Sequence, residues 1–557
     1  MARPLAPSVA LVLAALAARA CGGGTTSDES TPSGDCPNGV CAPGATTSDD
    51  GGLGPDGAPI GTSSALAISL VPPVVTTQAG TSVDVTIQVA RPTGLHDLLA
   101  VTVAPLPGGV TALTAPVPVD ATASSFRLNV IATAIPGNYP VGVTVQGGGA
   151  TSTANLALTI EGAPGALDVS FGNQGKAATP VVMRSINLGL QPSGRIVLLG
   201  ADTPGNAFVA AAFDASGKSD TTFGTNGRAA LPVGNRIVAD ARVLASGALA
   251  AGGASPFPST MWMGRLDTAG APDTTFGTNG VLAFASSGAP ELGASLVEAS
   301  DHGLLLAGHR APSFFDPTTD TPLVVRVTPA SVLDTTFGTT GRATLPGTHC
   351  SSAALDAQGR IVCAGSVAHS GGGFDLFVGR LTSAGALDTS FAAPTGWLRG
   401  SAGLGANVVV ASAVQADGKI VVVSRVASGT GGDLVVTRFD GAGLIDTAFG
   451  QNGKVSLDLG SNETLSRVAF DSKGRIVLVG ASATNASSRA LVVRLSPSGV
   501  LDTTFGEGHD GITRLPYSTL GDFATGVAVL PDDRILVGGH SAVSLSTRVA
   551  WVARLWN

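Results

Sequence analysis

Charge is scarce in this 557-residue chain: Asp, Glu, Lys and Arg make up 13% of it, and aromatic residues only 4%. Long surface helices need charged faces, so the composition argues against a helical protein. There is no basic tail or stripe, and the formal net charge is −8. Counterion release needs clustered Lys and Arg, so nucleic acid is not an expected partner. No HExxH, GxSxG or Walker A sequence occurs, so these metalloprotease, hydrolase and nucleotide-binding motifs are excluded. No apolar run is long enough to span a bilayer. Glycine (76 copies) and proline (34 copies) are abundant, and 44% of residues are hydrophobic. That is the composition of many short strands joined by tight turns.

The N-terminus carries Arg3, a ten-residue apolar run at 9–18, and Ala18-Arg19-Ala20 before Cys21. This resembles a bacterial lipoprotein signal, which implies a signal peptide at 1–20 and lipid on Cys21. An ordinary export signal cut after Ala20 is the alternative. The Gly-rich stretch that follows favours lipidation, and both readings export the protein. Residues 21–62 hold almost no large apolar side chains and read as a flexible linker. Besides Cys21 there are four cysteines, an even number. Cys36 and Cys41 flank a Pro-Asn-Gly turn and are candidates for a small disulfide loop. Cys350 and Cys363 share one repeat and are candidates for a second. A simple hairpin turning at Gln358-Gly359 sets Cys363 opposite Ala354, with Cys350 four residues out of register, which leaves that pairing open. Neither pair has the two further close ligands a zinc site needs.

Residues 63–162 alternate apolar and polar side chains in six or seven runs separated by Gly or Pro, which predicts a β-sandwich. Its PGNYPVGVTV stretch (136–145) resembles the late strands of bacterial immunoglobulin-like domains, in which a Tyr anchors a corner.

From residue 163 to 557 one unit recurs. LDTTFG stands at 333–338 and 501–506, with variants starting at 167, 219, 272, 387 and 445. Each copy also has a turn such as PSGR or ADGK, an apolar strand such as RIVLVG, and a strand such as LVVRL. That makes about four strands per copy. The hexapeptide Phe residues are spaced by 52, 53, 61, 54, 58 and 56, a period that suits a propeller blade. The last copy reaches Arg554 without a closing hexapeptide, while the first hexapeptide has no copy before it. A ring resolves both, and it predicts an all-β fold: a seven-bladed β-propeller closed by the N-terminal repeat segment and preceded by the sandwich. Ring closure also leaves no exposed sheet edges.

An Arg precedes the hexapeptide Asp by eight residues in five copies: Arg265/Asp273, Arg326/Asp334, Arg380/Asp388, Arg438/Asp446 and Arg494/Asp502. Ala212 replaces it before Asp220, and closure would give Arg554 to Asp168. One identical pair per blade is a scaffold feature before it is a ligand ring.

The hexapeptide, the GKI/GRI strand and the VVRL strand together resemble the delta-60 repeat family of exported bacterial proteins. The resemblance implies a propeller-like module on envelope or secreted proteins and implies no reaction. Ala392, in place of Gly, and the expanded turn GEGHDG at 506–511 depart from the pattern. That turn reads as polar loop, with Glu507, His509 and Asp510 as the metal-binding alternative. His309 and His540 share a position just after the apolar strand. The longest loop of its class, 309–322, carries Phe314, Phe315, Asp316 and Asp320. Glu291, Asp458, Glu463 and Asp522 form a set of loop acids, read as solvated groups or as a ring for Ca²⁺ or a sugar.

The expected function is a cell-envelope lipoprotein at the outer membrane or surface, held to the membrane through Cys21. Its propeller would recognise or scaffold a glycan or a protein. The alternatives are a propeller hydrolase or lyase with its active site at the channel mouth, a purely structural spacer, and a secreted soluble form. No cofactor is expected, with Ca²⁺ the one candidate ion.

Overall fold

The computed structural model describes residues 65–557 apart from 203–206, 257–258, 286–287, 314–315, 369–372, 401–406, 429–430, 460–461, 484–486, 519 and 545–546. The signal, the linker, Cys21, Cys36, Cys41, the Phe314-Phe315 pair and His369 lie outside the described residues. Among those described, helical geometry is limited to one 3-10 turn, Pro317–Thr319. Two compact units divide between Glu161 and Gly162.

The first unit is two four-stranded sheets over one core. One sheet orders its strands Ala67–Val71, Ser82–Ala90, Ala123–Val130, Val110–Thr114. The other orders them Val74–Gln78, Ala150–Glu161, Gly137–Gly147, Ala100–Ala104. Alternation drives it: Val85, Ile87 and Val89 point inward and are fully buried, while the residues between them are half-buried. The Tyr139 hydroxyl donates to the Ile135 carbonyl, 2.8 Å away.

The second unit contains five four-stranded antiparallel sheets, whose first strands are Ile237–Val243, Glu291–Glu298, His349–Leu355, Asn407–Val414 and Asn462–Phe470. A seven-stranded sheet completes it, in the order Arg228–Pro232, Ala207–Phe213, Ile196–Asp202, Lys176–Leu190, Arg548–Leu555, Ile535–Ala542, Asp522–Val529. Lys176–Leu190 explains its width. Its first half pairs with the last strand of the chain, Lys176 opposite Ala553 and Val182 opposite Val549. Its second half pairs with Ile196–Asp202. One strand is therefore the outer strand of the last repeat and the first strand of the first. The first strands also pack on one another in sequence, and Asp522–Val529 returns to Lys176–Leu190. The series is cyclic.

The hexapeptides make the corners of that cycle. Phe171, Phe223, Phe276, Phe337, Phe391, Phe449 and Phe505 are all buried. Each of five fills the gap to the next repeat beneath a glycine turn. A Cβ on Gly443, at φ +89°, would lie 2.8 Å from the Phe391 ring, so only glycine lets the turn settle there. The backbone joins in: Gly450 N–H donates to Ser498 O (2.8 Å) and Ala392 N–H to Ala442 O (2.7 Å), one repeat on. Ala392, which replaces the usual glycine, holds φ at 44°, a left-handed conformation that disfavours a side chain by roughly 1 kcal/mol.

The strand pairing corrects the expected hairpin at Cys363. Cys363 faces Ala353, not Ala354, and the register shifts between Cys350 and Ser352, so that Cys350 faces Gly365. The bulge shortens the mismatch, and Cys350 and Cys363 form a disulfide with Cα atoms 5.6 Å apart.

Candidate functional site

The repeated Arg and Asp side chains meet in every copy. Arg Nε to Asp Oδ2 distances are 2.6 Å for Arg265–Asp273, 3.0 Å for Arg326–Asp334, 2.7 Å for Arg380–Asp388, 2.9 Å for Arg438–Asp446 and Arg494–Asp502, and 2.7 Å for Arg554–Asp168. Asp220, which lacks the usual partner, takes Arg195 at 2.6 Å. Each guanidinium also lies over its hexapeptide Phe, between 4.3 Å (Arg438 on Phe449) and 5.9 Å (Arg326 on Phe337) from the ring centroid. Several reach the next repeat as well: Arg380 Nη1 donates to Gly441 O at 2.7 Å and Arg554 Nη1 to Ala215 O at 2.8 Å. The geometry of these arginines is directed at the corner: the hexapeptide Asp, the Phe ring and, for several, a carbonyl of the next repeat.

Burial pushes the Asp273, Asp388 and Asp502 carboxyls up, but the hydroxyls of Thr275, Ser390 and Thr504 and the paired arginines outweigh it and hold them below 3.8. Groups held below their unfolded value stabilise the fold fully above that value and lose this as pH falls through the folded one. Thermal melting of the full chain is therefore expected to drop steeply below about pH 4. His540 adds a shallower decline beginning near pH 6.5, because burial pushes its imidazole down to about 3. Melts between pH 2 and 7 check this, and a flat profile below pH 4 would contradict it.

A second constellation lies inside the cycle of first strands, where sequence reading had no signal. Each first strand bulges at the same point. The residues just after the bulges are Asn187, Asp240, Ser295, Ser352, Ala411, Arg467 and Gly526. Four tie neighbouring repeats together: Asn187 Nδ2 donates to Ala241 O (2.8 Å), Asp240 Oδ2 accepts from Leu296 N (2.8 Å), Ser295 Oγ accepts from Ala353 N (2.9 Å), and Ser352 Oγ bonds Ser412 Oγ (2.7 Å). At Gly526 a Cβ would fall 2.5 Å from Leu188 N, so the strands close tightly there. Arg467 reaches past that glycine's repeat. Its Nη2 donates to Ile186 O (3.1 Å) and to Asp240 Oδ1 (2.9 Å). The charged pair thus spans the inside of the cycle, with Asp240 fully buried and Arg467 1% exposed. Burial raises the Asp240 carboxyl and pushes Arg467 down to about 10, so Arg467 keeps its charge at neutral pH.

Three of the four loop acids are buried rather than solvated. Glu291, Glu463 and Asp522 are fully buried, and only Asp458 is exposed. Glu291 faces Arg342 (3.3 Å) and Arg310 (3.7 Å). Asp522 accepts from Tyr517 N (2.9 Å), Ser518 N (3.0 Å) and Ser541 Oγ (2.6 Å). They anchor the segments entering the first strands, because buried carboxylates need such partners. In the GEGHDG turn, Asp510 Oδ1 accepts from Ile512 N and Oδ2 from Arg514 Nη1, and His509 has φ 51°. Glu507 joins neither interaction. His309 and His540 do not act together. His309 packs edge-to-face on His349 (4.4 Å), and both approach Asp320 Oδ2, at 3.7 and 2.9 Å. That group is hydrogen-bonded and ring-packed, and we assign no metal to it. His540 Nδ1 lies 3.0 Å from Ser185 Oγ.

Three repeats match a family model described as "Domain of unknown function (DUF5122) beta-propeller", at residues 358–391, 415–449 and 474–505. These are β-propeller repeats. The matched segments run from the turn before the apolar strand to the hexapeptide Phe, the part that carries the Arg–Asp corner. No curated protein matches the chain.

Proposed function

We propose that this is an exported cell-envelope lipoprotein, anchored through Cys21, in which an immunoglobulin-like sandwich and a seven-bladed propeller present a non-catalytic recognition or scaffold surface. The partner would be an envelope glycan or a surface protein. The blade count rests on the seven first strands, each packed on the next, with the last packed on the first. The non-catalytic reading is supported above all by the Arg467–Asp240 pair, which is buried inside the cycle of first strands and hydrogen-bonded to the protein rather than open to a substrate. With the corners committed to scaffold, variable side chains at the loop ends of the blades remain for binding.

The anchor is tested by Cys21→Ser. Radiolabelled palmitate is expected to label the wild-type chain and not the variant, and the variant should move from the membrane pellet to the soluble fraction. A wild-type chain that is unlabelled and soluble would remove the lipoprotein part of the proposal.

A further inference from the structure

We propose that the interior of the cycle holds one halide ion, chloride under physiological conditions, bound by the guanidiniums of Arg242 and Arg467. The ion serves the fold and is independent of the recognition reading above. Strand register places Arg242 at the site. Ile237–Val243 bulges between Val238 and Asp240, after which Asp240, Ala241 and Arg242 face Gly252, Ala251 and Ala250 in regular pairing. Asp240 and Arg242, two positions apart, therefore share one face. Arg467 comes to the same carboxylate from Asn462–Phe470. Its Nη2 lies 2.9 Å from Asp240 Oδ1, and Arg242 Nη2 lies 3.8 Å from Asp240 Oδ2. Two guanidiniums thus flank one carboxylate, and both are buried, Arg242 being 6% exposed and Arg467 1%.

One carboxylate does not satisfy both. Asp240 Oδ1 already accepts from Ala241 N (2.9 Å) and Arg467 Nη2, and Oδ2 accepts from Leu296 N (2.8 Å). The 3.8 Å from Oδ2 to Arg242 Nη2 is an ion-pair distance, too long for a hydrogen bond. Arg242 Nε, Arg242 Nη2 and Arg467 Nε are buried with no hydrogen-bond partner among the described residues. Glu298, the other acid whose charge reaches Arg242, is committed elsewhere: Oε2 accepts from Ala245 N (2.7 Å), and Oε1 lies 3.0 Å from His302 Nδ1. Corner arginines of similar burial show the contrast. Arg380 and Arg554, 3% and 6% exposed, each set Nε 2.7 Å from an Asp.

A buried guanidinium keeps its proton at neutral pH, and a charged donor left without an acceptor is costly in a core. The group that answers several such donors at once is an anion. Its size follows from the packing. Asp240, Ala241 and Leu296 are fully buried, and at Gly526, in the same ring of bulges, a Cβ would fall 2.5 Å from Leu188 N. Strands this close admit a monatomic ion and exclude a sugar acid, a nucleotide or a sulfated chain. The ion adds a second tie between Ile237–Val243 and Asn462–Phe470 beside the one Asp240 makes.

The test melts the full chain at fixed ionic strength while sodium gluconate is exchanged for sodium chloride. Gluconate is the reference because it is too large for the interior. The melting temperature is expected to climb by about 1–2 °C for each tenfold rise in chloride. Arg242→Met removes two of the three unpartnered donors and should abolish that dependence. Crystals of the wild-type chain grown in sodium bromide should show an anomalous-scattering peak beside Arg242 and Arg467, a readout that does not require the variant to fold. A wild-type melting temperature that ignores chloride, a variant that responds as the wild type does, or a bromide crystal without the peak overturns the site. A peak with a flat melting response is binding at crystal concentration only and overturns it as well.

Discussion

Asp240→Ala is expected to lower the stability of the propeller by about 3–5 kcal/mol, because it leaves the Arg467 guanidinium buried without its counter-charge. Arg467 has few alternatives. Its Nη1 is used locally on Ser466 O (3.2 Å), its Nη2 also serves Ile186 O, and its Nε has no partner. Arg242, buried beside the pair with its Nη2 3.8 Å from Asp240 Oδ2, would lose the same carboxylate. The double variant Asp240→Leu with Arg467→Met should recover most of the loss, since apolar side chains of similar volume avoid the desolvation penalty. Urea titration followed by tryptophan fluorescence measures this cleanly, because all four tryptophans, Trp262, Trp397, Trp551 and Trp556, belong to the repeat unit. If the single variant is as stable as the wild type, the pair is not what locks the interior. If the double variant is no better than the single, packing rather than charge is responsible.

The second large effect concerns closure. Asp168 is fully buried and takes two guanidiniums, Arg554 Nε at 2.7 Å and Arg534 Nη1 at 2.8 Å, while its N–H donates to Arg554 O (2.8 Å). Asp446, at an interior corner, takes Arg438 at 2.9 Å and Lys419 at 3.4 Å and is 12% exposed. Asp168→Ala is expected to lose about 3 kcal/mol or more, and Asp446→Ala about 1 kcal/mol. The difference has a topological origin. Asp446 and Arg438 are held close by the chain between them, whereas 386 residues separate Asp168 from Arg554. Breaking that pair releases the seam that joins the first repeat to the last. Hydrogen exchange should accordingly rise in Lys176–Leu190 and Arg548–Leu555 in the Asp168 variant, and not in the Asp446 variant. Equal stability losses with unchanged exchange at the seam would show that closure does not depend on this carboxylate.

Much of the corner was legible because it is local and written repeatedly. An Arg eight residues before an Asp, on two segments joined by a tight turn, can hardly avoid meeting it, and the Phe three residues later must go somewhere dry. Ala212 marked the copy where the rule fails, but not that Arg195 would come from a neighbouring strand to Asp220. The loop acids show the limit of that reasoning. Glu291 and Asp522 look like solvated loop residues in sequence. Their burial depends on Arg342 and on Ser541, which reach them only once the sheet has formed.

By itself the sequence determined the repeat, its strand content, its corners and the need for a ring, since each follows from spacings within one copy and from the matching pieces at its two ends. Tertiary structure alone decided what lies inside the cycle and at its seam. The bulge that turns Asp240 and Arg467 inward leaves no sequence mark that distinguishes it from ordinary strand alternation. The pairing of Asp168 with Arg554 exists only because the N-terminal segment docks on the last repeat. Side chains hundreds of residues apart share no local signal, and what joins them is the packing of the first strands on one another.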